Sequence, residues 1–286
     1  MKKAIEKTIA AIDYIESHLS EKLDLETVAQ AVHYSKYYLH RTFTGTVGLT
    51  IHDYVQRRKL SEAAELLVFS DKPILEIALN AGYESQQAFT NIFGSMYKKT
   101  PRQYREEEEF YPLQLRYILN EHPTTTGAEI DWEEHIRFAT MEDIPGWLGL
   151  VRLVVDGFPC LDEEDYTRRL EEYISEKRAL ILKDNETVIG VMGIACNTGS
   201  IDFLGVHPQY RRQRISRAFL KKAFSLLIDS TELSVTTYRE GDKADPGYRR
   251  VFQKLGFAEK ELLVEYGYPT QRFVLQKENM EDGNSE

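Results

Sequence analysis

LETVAQAVHY at residues 25–34 and ILEIALNAGY at residues 74–83 are two copies of one pattern. Val28, Ala29, Val32 and Tyr34 stand against Ile77, Ala78, Ala81 and Tyr83 at an offset of 49. Past the turn the offset becomes 50: Ser35 stands against Ser85, Leu39 against Phe89 and Phe43 against Phe93. Each copy reads as a short helix, a tight turn, a serine that caps the next helix with its side-chain oxygen, and a second helix. That succession is helix-turn-helix spacing, and the chain contains it twice.

In such a unit the second helix packs one side on its partner and turns the other to the DNA major groove. Leu39 and Phe43 lie four apart and face inward, which leaves Lys36, Tyr37, His40 and Arg41 outward. In the second copy Phe89 and Phe93 face inward and Gln86, Gln87, Thr90 and Asn91 face outward. These side chains suit base edges: amides pair with adenine, arginine with guanine, and aromatic rings touch the thymine methyl. His40 reads equally as a DNA contact or as a solvated surface residue. Between the copies, IHDYVQRRKLSEAAELLVF (51–69) holds no proline or glycine. A helix of about 18 residues spans roughly 27 Å, of the same order as the about 34 Å between successive major-groove faces. Arg57, Arg58 and Lys59 on this spacer, with Lys98, Lys99 and Arg102 after the second copy, are expected either to meet phosphates or to form a solvated face.

Working outward, Ile5, Ile9, Ile12, Ile15 and Leu19 form one apolar helical stripe before the first copy. After Arg105 come four glutamates and a weakly periodic stretch containing HPTTTGAEIDWEEH, read as a linker over 109–134. Beyond it, short β-like runs at 179–182, 187–195, 201–206 and 232–238 alternate with helical stretches near 162–177, 210–228 and 246–255. The expected fold class is multidomain: an all-α double helix-turn-helix domain at 1–108, then an α/β domain with a mixed central sheet at 135–278, and a disordered tail at 279–286.

Composition agrees with two partners. The net charge is −10, but residues 1–105 carry 14 basic and 12 acidic side chains while 106–286 carry 22 and 34. A mildly basic piece joined to an acidic one suggests domains with different ligands. Apolar residues make up 42% of the 286, enough to build cores and to exclude a disordered chain. Two cysteines, at 160 and 196, exclude a disulfide scaffold and read as buried apolar residues, and no His/Cys cluster points to metal. The longest uncharged run has 15 residues (187–201), too short for a membrane span, so a cytoplasmic protein without membrane contact is expected.

IDFLGVHPQYRRQRISRAFLKKAF (201–224) concentrates the second domain's chemistry. A strand ends at Val206, Pro208 stops it, and a helix begins near Arg211. Free N–H groups and the helix dipole make such a start an anion site. Arg211, Arg212, Arg214 and Arg217 fall within seven residues of an acidic domain, which suggests a polyphosphate ligand or, equally, local pairing with carboxylates.

The first 107 residues resemble the DNA-binding domain of AraC/XylS-type transcriptional regulators, particularly their MarA/Rob-like branch. LETVAQAV, SKYYLHRTF, YVQRRKLSEAAELL, PILEIALNAGYESQQAFTNIF and KTPRQYR carry the likeness over residues 3–107. The resemblance implies a bacterial regulator with double-stranded DNA and RNA polymerase as partners; oligomeric state stays open, since one chain already holds two reading units. His33 stands where a glycine often closes the first turn, and histidine tolerates a left-handed backbone better than most residues.

Residues 135–278 resemble the GNAT-type N-acetyltransferases through Val206-His207-Pro208-Gln209-Tyr210-Arg211 and DPGYRRVFQKLGF (245–257). The resemblance implies acetyl-CoA or another acyl-CoA as cofactor, held by Val206, Arg211, Arg212, Gln213, Arg214, Ile215, Ser216 and Arg217. Three departures put catalysis in question. Arg214 and Ser216 stand at the family's phosphate-turn glycines, Phe252 at its frequent tyrosine acid, and Asp245 at its asparagine. Tyr238 and Tyr248 are the replacement acids, and Asp202, His207, Glu240 and Asp242 the replacement bases, each also readable as structural or solvated. The expected function is a sequence-specific regulator whose C-terminal domain senses acyl-CoA or a small-molecule effector. The alternative is a bifunctional regulator with active N-acetyltransferase activity on an amine.

Overall fold

The computed structural model describes residues 2–119, 130–154, 163–211, 213–227, 230–265 and 267–281. These fall into two compact units, 2–119 with 153–154, and 130–152 with 163–281.

The first unit is helical: α1 Lys2–Ser17, α2 Leu25–Ala31, α3 Lys36–Val47, α4 Ile51–Phe69, α5 Ile74–Asn80, α6 Gln86–Tyr97 and α7 Pro101–Glu107. Its helix starts are written in the sequence. Asp24, Ser35, Thr50, Ser85 and Thr100 are N-caps whose side chains accept from the backbone N–H three residues on. Each such cap is worth about 1 kcal/mol. The two turns share one backbone shape, with φ of 57° at His33 and 82° at Gly82. Both are left-handed, and histidine therefore does at the first turn what glycine does at the second.

Two separate apolar cores flank the spacer helix α4. Leu39, Phe43, Val47, Ile51, Tyr54 and Val55 join α1 and α2 in the first. Leu60, Ala63, Ala64, Leu67, Phe89, Phe93 and Tyr97 form the second. Between them α4 presents Gln56, Arg57, Arg58 and Lys59, a polar belt at the seam. The segment 110–119, expected to be open linker, packs instead: Tyr111 and Leu113 lie in the second core, Tyr117 and Leu119 in the first. Residues 120–129 lie outside the described residues.

The second unit contains α8 Trp132–His135, β1 Arg137–Phe138, α9 Ile144–Val154 up to Arg152, α10 Glu163–Ser175, β2 Ala179–Asp184, β3 Thr187–Ala195, β4 Ser200–Val206, α11 Ile215–Leu226, β5 Glu232–Tyr238, α12 Tyr248–Lys254, β6 Ala258–Glu265, β7 Tyr268–Gln276 and α13 Lys277–Glu281. The seven strands form one mixed sheet in the order β1-β2-β3-β4-β5-β7-β6. Neighbours are antiparallel except β4 and β5, which are parallel and register only at Ser200↔Ser234. The pinch at that point is tight. Gly199 (φ 71°) accepts from Ser234 N–H at 2.8 Å, and a Cβ there would stand 2.1 Å from the Glu232 carbonyl oxygen. Both ends of the expected boundaries need correction. Trp132 packs in the sheet's core rather than in a linker, and α13 runs into the expected tail, with Met280 buried. Residues 282–286 lie outside the described residues.

Candidate functional site

On α3, Lys36, Tyr37, His40 and Arg41 are exposed, Tyr37 at 80%, while Leu39 and Phe43 are fully buried. On α6, Gln86, Gln87 and Asn91 are exposed and Thr90 is half-buried, with Phe89 and Phe93 beneath. Gln87 Nε2 donates to Asn91 Oδ1 at 2.9 Å, which orders two amides on one face. Lys36 Nζ lies 3.5 Å from Glu26 on α2, a solvent-exposed pair that leaves its charge near the reading face. Each helix thus offers a polar stripe over a buried apolar underside, Leu39 and Phe43 on α3 and Phe89 and Phe93 on α6.

Arg57 and Arg58 do not lie on the open face expected for phosphate contacts. They are 3% and 7% exposed and fill the seam between the two cores. Arg58 donates from Nε and Nη2 to the Glu16 carboxylate at 2.9 and 2.8 Å, from Nη2 to Glu62 at 2.9 Å, and from Nη1 to the Gln114 carbonyl at 3.1 Å. Burial opposes its charge, yet the Glu16 and Glu62 carboxylates hold its pKa above the ordinary arginine value. Lys59 is half-buried; its Nζ donates to the Glu21 carbonyl at 2.7 Å and fills the space over Gly82, where a Cβ would meet it at 2.8 Å. Lys99 pairs with Glu107 and Arg102 with Glu106 in exposed ion pairs, leaving Lys98 and Arg102 on the surface that follows α6.

In the second unit, β4 and β5 part after their single registered pair, and the end of β4 delivers Val206 and His207 to a turn over Pro208–Tyr210. Tyr210 is buried and donates to Asp184 Oδ2 at 2.8 Å, fixing the turn to the end of β2. Arg211 and Gln213 are half-buried; Arg212 lies outside the described residues. Arg214 takes φ 59°, ψ 17° and caps α11. The left-handed backbone that makes glycine common at this place is therefore kept, at a cost of about 1–2 kcal/mol for an L-residue. Of the remaining expected contacts, Ile215 has its side chain in the core and offers only its N–H. Ser216 is half-buried, and Arg217 directs Nη2 to the Met280 carbonyl at 2.8 Å rather than leaving it for a ligand. The first-turn N–H groups of α11 have no intrahelical acceptor, as at any helix start.

The acid–base candidates divide. Phe252 packs against Phe257 and Phe273, so no hydroxyl stands at the family's acid position. Tyr238, 5% exposed, sits among Tyr268, Ala244 and Tyr248; Tyr248 is half-buried at the first turn of α12. Asp242 accepts from Tyr268 Oη at 2.9 Å and Asp202 from Tyr173 and Arg178 at 3.0 Å each. Both carboxylates are thereby engaged structurally, while Glu240 is exposed. Asp245 accepts from the N–H groups of Gly247 and Tyr248 and shapes the start of α12.

Burial, with the Arg211 charge beside it, lowers the His207 pKa to about 4. The unfolded chain takes up this proton near the ordinary 6.5 and the folded chain only near 4. Folding therefore loses stability as pH falls through that window. Melting temperature is expected to drop between those pH values, and His207→Asn, which keeps an acceptor for Gln209 N–H, to flatten part of the drop. An unchanged profile would contradict it.

A family model described as a helix-turn-helix domain matches residues 28–107. The regulatory protein SoxS of Escherichia coli is 38% identical over 94 residues, covering 33% of this chain and 88% of SoxS. The chain belongs to the AraC/XylS-type regulators. The right origin-binding protein of E. coli is 36% identical to this AraC-type chain over 132 residues, 46% of the chain but only 43% of that relative. A second family model, an acetyltransferase (GNAT) domain, matches residues 157–267. A GNAT-family acetyltransferase structure from Bacillus cereus aligns with TM-score 0.40 at 17% identity over 50% of this chain and 96% of that one. The AraC-type chain joins a double helix-turn-helix to a domain that matches the GNAT acetyltransferase model. Among the described residues no helix is long and apolar enough to cross a membrane, and no cluster of three His, Cys, Asp or Glu side chains is placed to hold a metal.

Sequence reading placed Lys59 on a phosphate-facing or solvated stripe and missed its bond to the Glu21 carbonyl, and it missed the packing of the segment 110–119. The second had a signal: in FYPLQLRYIL the buried Tyr111 and Leu113, and again Tyr117 and Leu119, are two apart, the period of an extended chain with one face covered.

Proposed function

We propose that the chain is a sequence-specific DNA-binding transcription regulator acting in the cytoplasm, whose GNAT-type domain binds an acyl-CoA or a related small molecule as an effector. The observation that carries the reading is the pair of polar helix faces, Lys36, Tyr37, His40 and Arg41 on α3 and Gln86, Gln87 and Asn91 with the half-buried Thr90 on α6, each above a buried apolar side. Uncharged amides and one arginine match base edges better than phosphates. For the second domain, the left-handed turn at Arg214 and the open first turn of α11 support an anion at that place. A bound acyl-CoA would supply a thioester-activated acyl group. Catalysis would also need a proton for the departing thiolate, and Phe252 cannot give one.

Gel shifts at moderate salt test the first half: selective binding to a duplex from the protein's own promoter is expected, and equal binding to random duplex would refute it. Thermal melting with acetyl-CoA, paired with a thiol-release assay over an amine panel, tests the second. A raised melting temperature without thiol release is expected, with the rise lost in Arg211→Ala. Turnover that depends on Arg211 would replace the sensor by an amine acetyltransferase, with Tyr248 the hydroxyl nearest to solvent. No thermal shift would remove acyl-CoA as the effector.

A further inference from the structure

The two reading units have separate apolar cores on either side of the polar belt of α4. A single helix crossing a polar belt is a poor way to fix two probes, since a small bend at residues 56–59 would change both their separation and their rotation. The segment 110–119 lies along the same helix and passes over that belt. Phe110 packs on Phe69 at the end of α4. Tyr111 exchanges hydrogen bonds with the Tyr104 hydroxyl at 2.8 and 2.9 Å, and Leu113 enters the second core. Gln114 N–H donates to Ser61 Oγ at 3.0 Å, and its carbonyl accepts from Arg58. Tyr117 N–H donates to Tyr54 Oη at 3.3 Å, its ring stacks on Tyr54 at 5.7 Å, and Leu119 enters the first core.

The contacts run Phe69, Ser61, Arg58, Tyr54 as the segment runs 110 to 117, so helix and segment are antiparallel. Their lengths agree. From Tyr54 to Phe69 the helix rises about 22 Å, and from Phe110 to Tyr117 an extended chain covers about 23 Å. The segment therefore spans the length of α4 from Phe69 to Tyr54, with a bend at Leu113 beside Pro112, which restricts the backbone. Its backbone hydrogen bonds fall on side chains at the seam, where α4 is polar. Lys59, bonded to the Glu21 carbonyl on one side and seated over Gly82 on the other, links the loop before α2 to the turn of the second unit across the same belt.

We propose that residues 110–119 are a splint that holds the two helix-turn-helix units at one separation and one rotation, making Gln114 and Tyr117 positioning residues for two-site DNA reading. The proposal rests on the DNA-reading function above. Neither residue belongs to the reading faces; the splint acts by stiffening α4.

The test compares binding sites rather than affinities alone. A duplex is first selected from a randomised library with the full wild-type chain, then remade with one base pair inserted between its two contacted halves. That insertion adds about 3.4 Å and about 34° of rotation. The wild type is expected to lose more than about tenfold in affinity, the scale of one lost base contact. Tyr117→Ala combined with Leu119→Ala, which frees one end of the splint, is expected to lose less than about threefold on the same insertion, the smaller penalty of a jointed reader. Equal penalties would overturn the splint, because a purely structural role lowers binding to both duplexes alike. If the double variant fails to melt cooperatively, Ser61→Ala, which removes the acceptor of Gln114 N–H, takes its place. Its insertion penalty is expected to be at least about twofold below wild type, and an unchanged penalty again overturns the proposal. Failure of the wild type to select any two-part duplex would instead defeat the DNA-reading function itself, so the two failures are distinguishable.

Discussion

Arg41→Ala combined with Gln86→Ala is expected to cost about 2–6 kcal/mol of specific affinity, from about 1–3 kcal/mol at each base contact. The two residues lie on different helices with separate supporting cores, so their losses should add. Each side chain is exposed, and truncation leaves the buried Leu39–Phe43 and Phe89–Phe93 pairs intact. Folding should therefore be unchanged within about 0.5 kcal/mol, the usual range for surface substitutions. Titration of each single and the double variant against specific and random duplexes checks this. Loss confined to the specific duplex supports base reading; equal loss on both assigns the residues to phosphates.

Arg58→Ala should act in the opposite way, on folding more than on DNA. Glu16 and Arg58 form a buried pair, each side chain 9% exposed, and Glu16 also accepts from the Tyr54 hydroxyl at 2.8 Å. Removing the guanidinium leaves a buried carboxylate without its cation and the Gln114 carbonyl without one donor. A loss of about 3–5 kcal/mol is expected. Replacing both partners, as in Arg58→Met with Glu16→Leu, should recover most of it, because the desolvation of both charges is then avoided. Urea midpoints of the single and double variants decide the matter. A single variant as stable as wild type would show that the pair carries no such load, and a uniform loss of DNA affinity without loss of stability would return Arg58 to the phosphates.

Those two arginines mark the boundary of what sequence alone conveys. The repeat, the serine caps Ser35 and Ser85, the inward aromatic residues and the left-handed turn at His33 were legible because each is set by neighbours within a few positions. So were the strands at 179–182, 187–195, 201–206 and 232–238, which are short and rich in apolar and β-branched residues. The burial of Arg58 was not, since its partners Glu16 and Gln114 lie 42 and 56 positions away. An Arg-Arg-Lys run on a spacer helix looks like a solvated or phosphate-facing stripe until those partners are seen. The same reason hid the fate of Arg217, whose acceptor is the carbonyl of Met280, and it made the end of the chain look like a tail. The segment 110–119 failed for a different cause. Its period-two pattern is short, interrupted by Pro112 and preceded by four glutamates, so composition outweighed periodicity. At the phosphate turn, sequence named the position where glycine is usual, and the φ of Arg214 explains why glycine is usual there.

The proposed regulator applies two groove-reading helices to one face of one duplex. Methylation interference with the full chain, on a duplex chosen by selection, measures this. Two clusters of interfering major-groove positions, centred about 10 base pairs apart on the same face, are expected. A single cluster, or two clusters offset by half a helical turn, would contradict it.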